Sequence, residues 1–351
     1  MSLHHKVGRE LHSPFEGSGD NMTLPVLGID ISKKTFHAAL LRAEGRTRQR
    51  EFANSAAGFA RLGSWLHRQE AACVHACLEA TGSYGEPLAR FLHQAGHRVS
   101  VVNPRQIRAF AESKLARNKT DPLDAVLIAG FCQAHQPAAW SPPPPEIAEL
   151  EALVRRLDAL EQMRQQEANR LEVARAVVRP SIAEHLEFLG QQIGKTQQAI
   201  RDHIDSHPDL RARHDLLVSI PGIAAKTAAK LLAEIPQLEQ FSQARQVAAF
   251  AGLNPRQWSS GSSVRGRSRL SKIGSPRIRK ALYMPALVAL RHNPLIRGLA
   301  QRLALRGKLP MVIVGAAMRK LLCLAYGVLK SRKPFDPSYS CQHPLLSQDG
   351  I

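Results

Sequence analysis

Negative charge is missing from a long segment near the end of the chain. No aspartate or glutamate occurs in residues 240–335, and this basic segment holds 19 of the 48 lysines and arginines. The rest of the chain balances at 29 basic against 29 acidic residues, so the whole formal net charge of +19 lies in the basic segment. Such a segment would repel itself unless phosphates lay alongside, which predicts a nucleic-acid partner. A solvated basic face is the alternative interpretation.

Cysteine is scarce as well. The five cysteines are odd in number and show no C-x-x-C spacing, which argues against a disulfide framework and a zinc ribbon. This usage fits a reducing cytoplasm. Cys73, His75 and Cys77 alternate along one predicted strand, but two-residue spacing is poor geometry for chelating a metal. We therefore expect these side chains to pack in the core.

Long apolar runs are also missing. The run MVIVGAAM ends at Arg319 and Lys320, well short of the ~20 residues that a membrane span needs, so we expect no membrane partner. The first 22 residues are polar and lack the apolar segment of a signal peptide. We expect a disordered tail at residues 1–22 and a loose tail at residues 336–351.

Residues 23–141 alternate between strands and helices. LPVLGIDIS, TFHAALLRA and TRQREFANS are three predicted strands joined by short turns, and two further strands, VHACLEAT and RVSVVNP, alternate with helices. An antiparallel meander that leads into alternating strands and helices is the layout of a ribonuclease-H-like α/β domain. This is the fold class that we predict for the N-terminal domain.

The remainder of the chain is predicted to be helical. Four prolines at positions 142–145 form a stiff spacer, after which leucines and isoleucines recur at three- and four-residue steps over residues 146–212, with an interruption at Pro180. This helical coiled coil is either a hairpin within one chain or a dimerising interface, and the spacing does not choose between them. Residues 213–335 form a mainly helical, basic domain.

Four carboxylates lie at strand ends or at the start of a helix. Asp30 ends the first strand, Glu79 ends the fourth, and Asp121 and Asp124 open a helix in RNKTDPLDA. Ligands gather beyond the strand ends of open α/β sheets, and an i, i+3 pair shares a helix face, so these oxygens could converge on Mg²⁺ or Mn²⁺. Capping of the helix by Asp121 is the structural alternative. We predict that all four are catalytic metal ligands, with Thr120 taking over much of the capping.

A second motif, SIPGIAAKTAAKLLAEI at residues 219–235, is typical of a helix-hairpin-helix. Its tight Pro-Gly turn would point backbone N–H groups at a phosphate, with Gly222 and Lys226 as the contacts. Ala224 stands where the motif usually has a second glycine, so the backbone would approach the phosphate less closely. An ordinary packing corner between two helices is the alternative.

A third motif, RQWSSGSSVRGRSRLSKIG at residues 256–274, is a predicted flexible basic loop. Composition leaves open whether it lies on a phosphate backbone or is a solvated linker. Guanidinium groups around a serine would stabilise charge that develops on phosphoryl oxygens during nucleophilic attack. The serines that compete for this role are Ser259, Ser260, Ser262, Ser263 and Ser268. The further residues that we predict to bind nucleic acid are Arg117, Lys119, Arg265, Arg267, Arg269, Lys272, Arg277, Arg279 and Lys280.

Seven segments occur in an order that resembles a known family. They are GIDISKKTF, CLEATGSY, VVNPRQIRAFAES, RNKTDPLDA, SIPGIAAKTAAKLL, AAFAGLNP and SSGSSVRGRSRLSKIGSPRIRKALYMPAL. Together they look like the DEDD-type transposases of bacterial insertion sequences, and among these they most resemble the bridge-RNA-guided serine recombinases. Any one segment is a weak signal, but seven in register are specific.

The resemblance implies a RuvC-like N-terminal domain similar to that of Holliday-junction resolvases, a coiled-coil linker and a C-terminal transposase domain. It implies that Asp30, Glu79, Asp121 and Asp124 hold Mg²⁺, and that Ser260, the serine before glycine, attacks the DNA backbone and becomes covalently linked to it. It further implies a structured guide (bridge) RNA that pairs with donor and target DNA, and dimers that pair into a tetramer. Such a protein would be associated with the nucleoid in the bacterial cytoplasm.

Two other functions stay open on the residues alone. A metal-dependent endonuclease for DNA junctions would use the four carboxylates to activate water, and Ser260 would be only a loop residue. A non-catalytic relic would use the basic segment to coat DNA.

Overall fold

The structure is a computed structural model. It describes residues 24–42, 46–80, 82, 84–114, 121–235, 238, 241–256, 259–260, 264–265 and 269–338. Among these, Asp121, Pro122, Ser259, Ser260, Val264 and Arg265 are described by their backbone alone. The chain divides into two compact units between Pro142 and Pro143, within the run of four prolines. The expectations for residues 1–22 and for most of 336–351 fall outside the described residues.

The first unit is built on one mixed sheet of five strands. These are β1 (Val26–Ile31), β2 (Thr35–Leu41), β3 (Thr47–Ala53), β4 (His75–Glu79) and β5 (Arg98–Val102). Their spatial order is β3-β2-β1-β4-β5, in which β2 is antiparallel to β1 and β3 while β4 is parallel to β1 and β5. The predicted meander and the two later strands are confirmed.

Four helices accompany this sheet. They are α1 (Ala56–Arg68), α2 (Glu86–Gln94), α3 (Pro104–Ser113) and α4 (Asp121–His135). Side-chain caps explain two of their starts, because Ser55 accepts a hydrogen bond from the backbone of Gly58 and Asn103 accepts one from Arg105. Thr120, the predicted cap of α4, lies outside the described residues.

The cysteine and histidine of β4 pack in the core, as predicted. His75 and Cys77 are buried, and the His75 Nε2 atom lies 2.8 Å from the hydroxyl of Ser100 on β5. Cys73 precedes the strand, which begins at His75, so it does not share the strand face that the alternation suggested. Among the described residues of the first unit, Cys73, Cys77 and Cys132 form no disulfide.

The second unit is helical. Its helices are α5 (Pro145–Val173), α6 (Arg179–Asp205), α7 (Pro208–Val218), α8 (Ala225–Glu234), α9 (Ala244–Phe250), α10 (Pro276–His292), α11 (Pro294–Leu305) and α12 (Pro310–Ser331). Proline stands in the first turn of six of them, where its missing N–H leaves no helical hydrogen bond unmade. Between α9 and α10, β6 (Pro255–Arg256) pairs with β9 (Arg269–Leu270), and β7 (Ser259–Ser260) pairs with β8 (Val264–Arg265).

Helices α5 and α6 pack against each other within one chain. Leu150 and Leu157 of α5 and Ile200 and Ile204 of α6 belong to one buried cluster with residues of α7 and α8. The three- and four-residue spacing therefore serves an intrachain helical hairpin, one of the two interpretations of the coiled coil. A dimer built on the same helices stays a prediction.

Helix α12 is longer than its sequence suggested. It continues through Arg319 and Lys320, which we expected to end the apolar run, and it is long and apolar enough by composition to cross a membrane. Half of its apolar window is buried inside the protein, and the helix packs against α9 and α10. This burial is typical of the core helix of a compact unit.

Candidate functional site

Two of the predicted carboxylates end neighbouring parallel strands. The pairing of β1 with β4 runs to Ile29 and Leu78, so that Asp30 and Glu79 are the next residue on each strand. Both side chains are half-buried at the carboxyl edge of the sheet. This is the edge of an open α/β sheet at which ligands gather.

The start of α4 lies at the same edge. Gly28 touches α4 so closely that an added Cβ would lie 2.1 Å from the carbonyl oxygen of Ala125. At the other end of α4, the thiol of Cys132 lies 3.9 Å from the carbonyl oxygen of His75, where β4 begins. The helix therefore runs opposite to β1 and β4, and its first turn, with Asp121 and Asp124, approaches their carboxyl ends.

The strand alternation turns both strand-end carboxylates towards α4. Asp30 follows Gly28 by two residues and Glu79 follows Cys77 by two, so each shares a sheet face with a residue that contacts the helix. The hydrogen bond between Cys77 and Cys132, together with burial, raises the pKa of the Cys77 thiol well above its usual range. Cys77 is therefore a neutral packing residue beneath the sheet edge that carries Asp30, Glu79, Asp121 and Asp124, which we call the acidic edge.

The donor chemistry of this edge suits a hard divalent cation. Asp30, Glu79 and Asp124 are half-buried carboxylates, and oxygen ligands of this kind are those that Mg²⁺ and Mn²⁺ prefer. Among the side chains that the structure describes, no three His, Cys, Asp or Glu groups are drawn together closely enough to hold a metal ion. Asp121, the fourth predicted ligand, is described by its backbone alone. The four residues thus share one edge of the sheet, and their coordination of a metal stays a prediction.

The contact between Gly28 and α4 gives a stability prediction. We expect Gly28→Ala to lower the free energy of unfolding by about 3 kcal/mol, because the new methyl group would overlap backbone atoms of Ala125 and Ala129. Gly63→Ala is the matched control, since an added Cβ at Gly63 of α1 would meet only the ring of Phe91 at 3.8 Å. That variant should be neutral or slightly stabilising in a helix. Thermal unfolding of both variants measures the difference, and equal midpoints would contradict the close packing of α4.

The serine-rich segment has more structure than a flexible loop. Pairing of β6 with β9 forms the stem of a hairpin, and pairing of β7 with β8 continues it outward. We call residues 255–270 the serine hairpin. Ser260 and Arg265 lie in β7 and β8, while Arg267 lies outside the described residues. Arg269 is exposed on the stem, where its backbone pairs with that of Arg256.

The turn between α7 and α8 is packed against the protein. Gly222 adopts φ 106°, and an added Cβ there would lie 2.7 Å from the methyl group of Ala289 on α10. The Asn293 side chain donates a hydrogen bond of 3.2 Å to the carbonyl oxygen of Pro221. The left-handed backbone and the close packing therefore both require glycine here. This agrees with the alternative interpretation of the motif as a packing corner between two helices. A phosphate contact by this turn stays a prediction.

Lysines of α8 already contact carboxylates of α5. Lys226, a predicted phosphate contact, forms an ion pair with Glu161, and Lys230 forms one with Asp158. These pairs join the helical hairpin to the basic domain within the second unit. Sequence reasoning missed them, although acids three residues apart on α5 and lysines four residues apart on α8 are spacings that share a helix face.

The basic residues after the serine hairpin differ in their surroundings. Lys272 and Lys280 are exposed, and Arg277 lies 3.5 Å from Glu234 of α8. Burial raises the pKa of Glu234, and the nearby Arg277 guanidinium opposes that rise. Arg279 is half-buried and donates hydrogen bonds to backbone carbonyls. Arg117 and Lys119, the remaining predicted contacts, lie outside the described residues.

Two family models match this chain. A transposase model of the DEDD type found in IS110 elements matches residues 27–174, and a model described as transposase IS116/IS110/IS902 family matches residues 214–301. A pilin gene-inverting protein of Moraxella bovis is 34% identical over 90% of this chain and 98% of its own length. The chain belongs to the IS110 transposase family.

Other relatives support the assignment of this IS110-family transposase. A pilin gene-inverting protein of Moraxella lacunata is 33% identical over 90% of this chain and 98% of its own length. The transposase for insertion sequence element IS1328 of Yersinia enterocolitica is 26% identical over 76% of this chain and 84% of its own length. The protein is therefore an enzyme of the transposase and recombinase class that acts on DNA. The first family model spans all four predicted carboxylates, and the second spans Ser260.

Proposed function

We propose that this IS110-family transposase cuts and rejoins DNA through Ser260, assisted by a divalent cation that Asp30, Glu79, Asp121 and Asp124 hold. The observation that carries the proposal is the strand register that sets Asp30 beside Glu79, with the start of α4 at the same edge. Unlike a junction endonuclease, the protein would keep the energy of the broken phosphodiester in a covalent link.

The proposal includes a ribonuclease-H-like fold for the first unit. The strand order β3-β2-β1-β4-β5, with an antiparallel meander followed by parallel strands, supports this assignment. In such a sheet the central strand β1 and its parallel neighbour β4 supply the strand-end carboxylates. This matches the positions of Asp30 and Glu79.

The serine step conserves phosphodiester bonds. The Ser260 Oγ atom attacks a DNA phosphorus, an O–P bond forms, and the bond from phosphorus to one DNA oxygen breaks. The net proton transfer is from the serine hydroxyl to the leaving DNA oxygen. A hydroxyl group of the new partner strand then attacks the phosphorus, the bond from phosphorus to Ser260 Oγ breaks, and the proton of the attacking hydroxyl passes to the serine oxygen. Arginines of the serine hairpin would stabilise the charge on the phosphoryl oxygens.

The acidic edge would complete this chemistry. When bound, Mg²⁺ or Mn²⁺ supplies Lewis-acid stabilisation of the reacting phosphate. The four carboxylates would hold the cation, and the strand register and the start of α4 at the same sheet edge support this assignment. Since Ser260 and the carboxylates lie in different units, a composite site shared between subunits is part of the proposal. Dimers that pair into a tetramer on DNA would supply such sites.

In this proposal, an RNA rather than the protein recognises the DNA sequences that are recombined. A carboxylate-free segment with 19 basic residues suits backbone phosphates, which carry no base sequence. A structured guide RNA that pairs with donor and target DNA would provide the missing specificity. Movement of an insertion sequence is the outcome that we favour. Inversion of a DNA segment is a second outcome, and the two relatives named pilin gene-inverting proteins favour it.

The guide can be tested in cells. A plasmid carries the gene with its flanking noncoding DNA, and new junctions are mapped by sequencing outward from the ends of the element. We expect junctions with the intact flank, background levels when the transcribed part is scrambled at constant length, and recovery when the RNA is supplied from a separate promoter. Equal junction frequencies with the scrambled flank would exclude the guide RNA and leave the serine chemistry standing.

A further inference from the structure

The serine hairpin stands on a tight crossing of two backbone segments. The segment that leaves α9 and the segment that enters α10 are joined by backbone hydrogen bonds. The N–H of Lys272 donates to the carbonyl oxygen of Gly252 at 3.1 Å, and the N–H of Ser275 donates to that of Phe250 at 2.9 Å. We call these segments, residues 250–254 and 271–275, the hairpin base. The base fixes where the hairpin leaves the helical domain.

Two glycines allow the segments of the base to touch. Gly274 adopts φ 142°, and an added Cβ would lie 2.3 Å from the carbonyl oxygen of Phe250. Gly252 adopts φ 68°, and an added Cβ would lie 2.6 Å from the Nη1 atom of Arg279. Both the backbone conformation and the contacts exclude a side chain. Gly252 therefore leaves the space that the guanidinium group of Arg279 occupies.

Arg279 holds both segments at once. From the first turn of α10, its Nη1 atom donates to the carbonyl oxygen of Ala251 at 2.9 Å, of Gly274 at 3.1 Å and of Ser275 at 3.2 Å. The Nη1 atom has two hydrogens and three acceptors, so at least one hydrogen is shared between two carbonyl oxygens. Ala251 belongs to the incoming segment and the other two carbonyls to the outgoing one. A charged donor strengthens each bond relative to a neutral one.

We propose that Arg279 is a positioning residue that holds the base of the serine hairpin and thereby orients Ser260 for attack on DNA. The hairpin begins and ends at the base, so the geometry of the base sets the direction in which the hairpin leaves the second unit. This inference rests on the proposed role of Ser260, and it gives Arg279 a task other than the phosphate contact predicted from the sequence.

The first test measures the base without any reaction. In Arg279→Lys the charge remains, but a single ammonium on a flexible stem replaces the planar fork. We expect amide hydrogen exchange in the peptide that covers residues 269–276 to become about tenfold faster than in the wild type. Exchange in α12 should not change. Wild-type exchange in residues 269–276 would overturn the proposal.

The second test separates orientation from binding. At saturating DNA, we expect Arg279→Lys to form the protein–DNA adduct about 100-fold more slowly, while its Kd for DNA stays near the wild-type value. Gly274→Ala distorts the same base, because the new methyl group would overlap the backbone of Phe250. It should slow adduct formation in the same way without changing the Kd for DNA. Lys195→Gln, an exposed residue of α6, is the control, because it removes a positive charge outside both the base and the basic segment. It should leave the Kd for DNA and the adduct rate at the wild-type values.

The outcomes distinguish this inference from the proposed function. A wild-type adduct rate in Arg279→Lys, or a loss of DNA affinity that accounts for the whole effect, would overturn the positioning role. If Ser260→Ala still forms the adduct, the proposed nucleophile is wrong and so is the orientation of Ser260 by Arg279. The exchange measurement would then still report whether Arg279 holds the hairpin base. Far-ultraviolet circular dichroism of each variant checks that the helical unit is folded.

Discussion

Ser260→Ala is expected to abolish the covalent protein–DNA adduct and strand exchange while leaving DNA binding intact. The substitution removes one oxygen atom, and loss of a nucleophile typically costs at least ~10⁴-fold in rate. The backbone pairing of β7 with β8 does not involve the hydroxyl group, so the hairpin should keep its shape. The adduct is measured as a DNA-linked band that survives denaturation, and binding is measured by a mobility shift at fixed salt.

Ser259→Ala is the matched control for this experiment. Ser259 is the neighbouring residue of the same strand and carries the same hydroxyl group. We expect the adduct to persist in this variant. An adduct that persists in Ser260→Ala and disappears in Ser259→Ala would move the nucleophile by one residue. Persistence in both variants, together with cleavage products that carry no protein, would favour hydrolysis by a junction endonuclease.

The second large effect is expected at the acidic edge. We expect Asp30→Asn and Glu79→Gln each to slow adduct formation by at least ~100-fold, because an amide replaces a carboxylate ligand. Glu112→Gln, an exposed residue of α3, is the control and should react at the wild-type rate. The rates are compared in Mg²⁺, in Mn²⁺ and after chelation. Full activity of Asp30→Asn would remove this residue from the site.

Cation binding provides a readout that does not require DNA. A cation that binds only the folded protein stabilises it by about 2.7 kcal/mol at a hundredfold excess over its Kd. Millimolar Mn²⁺ should therefore raise the Tm of the wild type and of Glu112→Gln, and should raise it much less in Asp30→Asn. Equal shifts in all three proteins would place the cation elsewhere. No shift in any of them would contradict cation binding by these carboxylates in the absence of DNA.

The parts of the fold that the sequence predicts well are those with strong local periodicity. The five strands of the first unit and the helices α5 and α6 follow from alternation and from three- and four-residue spacing. The position of Asp30 at a strand end is of the same kind, because it needs only the end of an apolar run. Local periodicity does not place Glu79 beside Asp30. Their proximity requires β4 to pair in parallel with β1, and this pairing depends on packing along the whole sheet.

The basic residues show where sequence reasoning fails. Composition and motif treat arginines and lysines alike, so they assign Arg279 and Lys226 to phosphates together with the exposed Lys280. In the structure, Arg279 donates hydrogen bonds to backbone carbonyls and Lys226 forms an ion pair with Glu161. The partners are distant in the sequence. The flanking glycines at 252 and 274 were the available signal for the hairpin base. Glycines on both sides of a loop indicate close backbone approach.

The ion pairs between α5 and α8 change how DNA would meet that part of the protein. A phosphate that reaches Lys226 must displace the carboxylate of Glu161, whereas at an exposed lysine it displaces only water. Such an exchange of one anion for another leaves the local charge around the lysine nearly constant. Lys226 would therefore add less to the ionic-strength dependence of DNA affinity than its charge suggests.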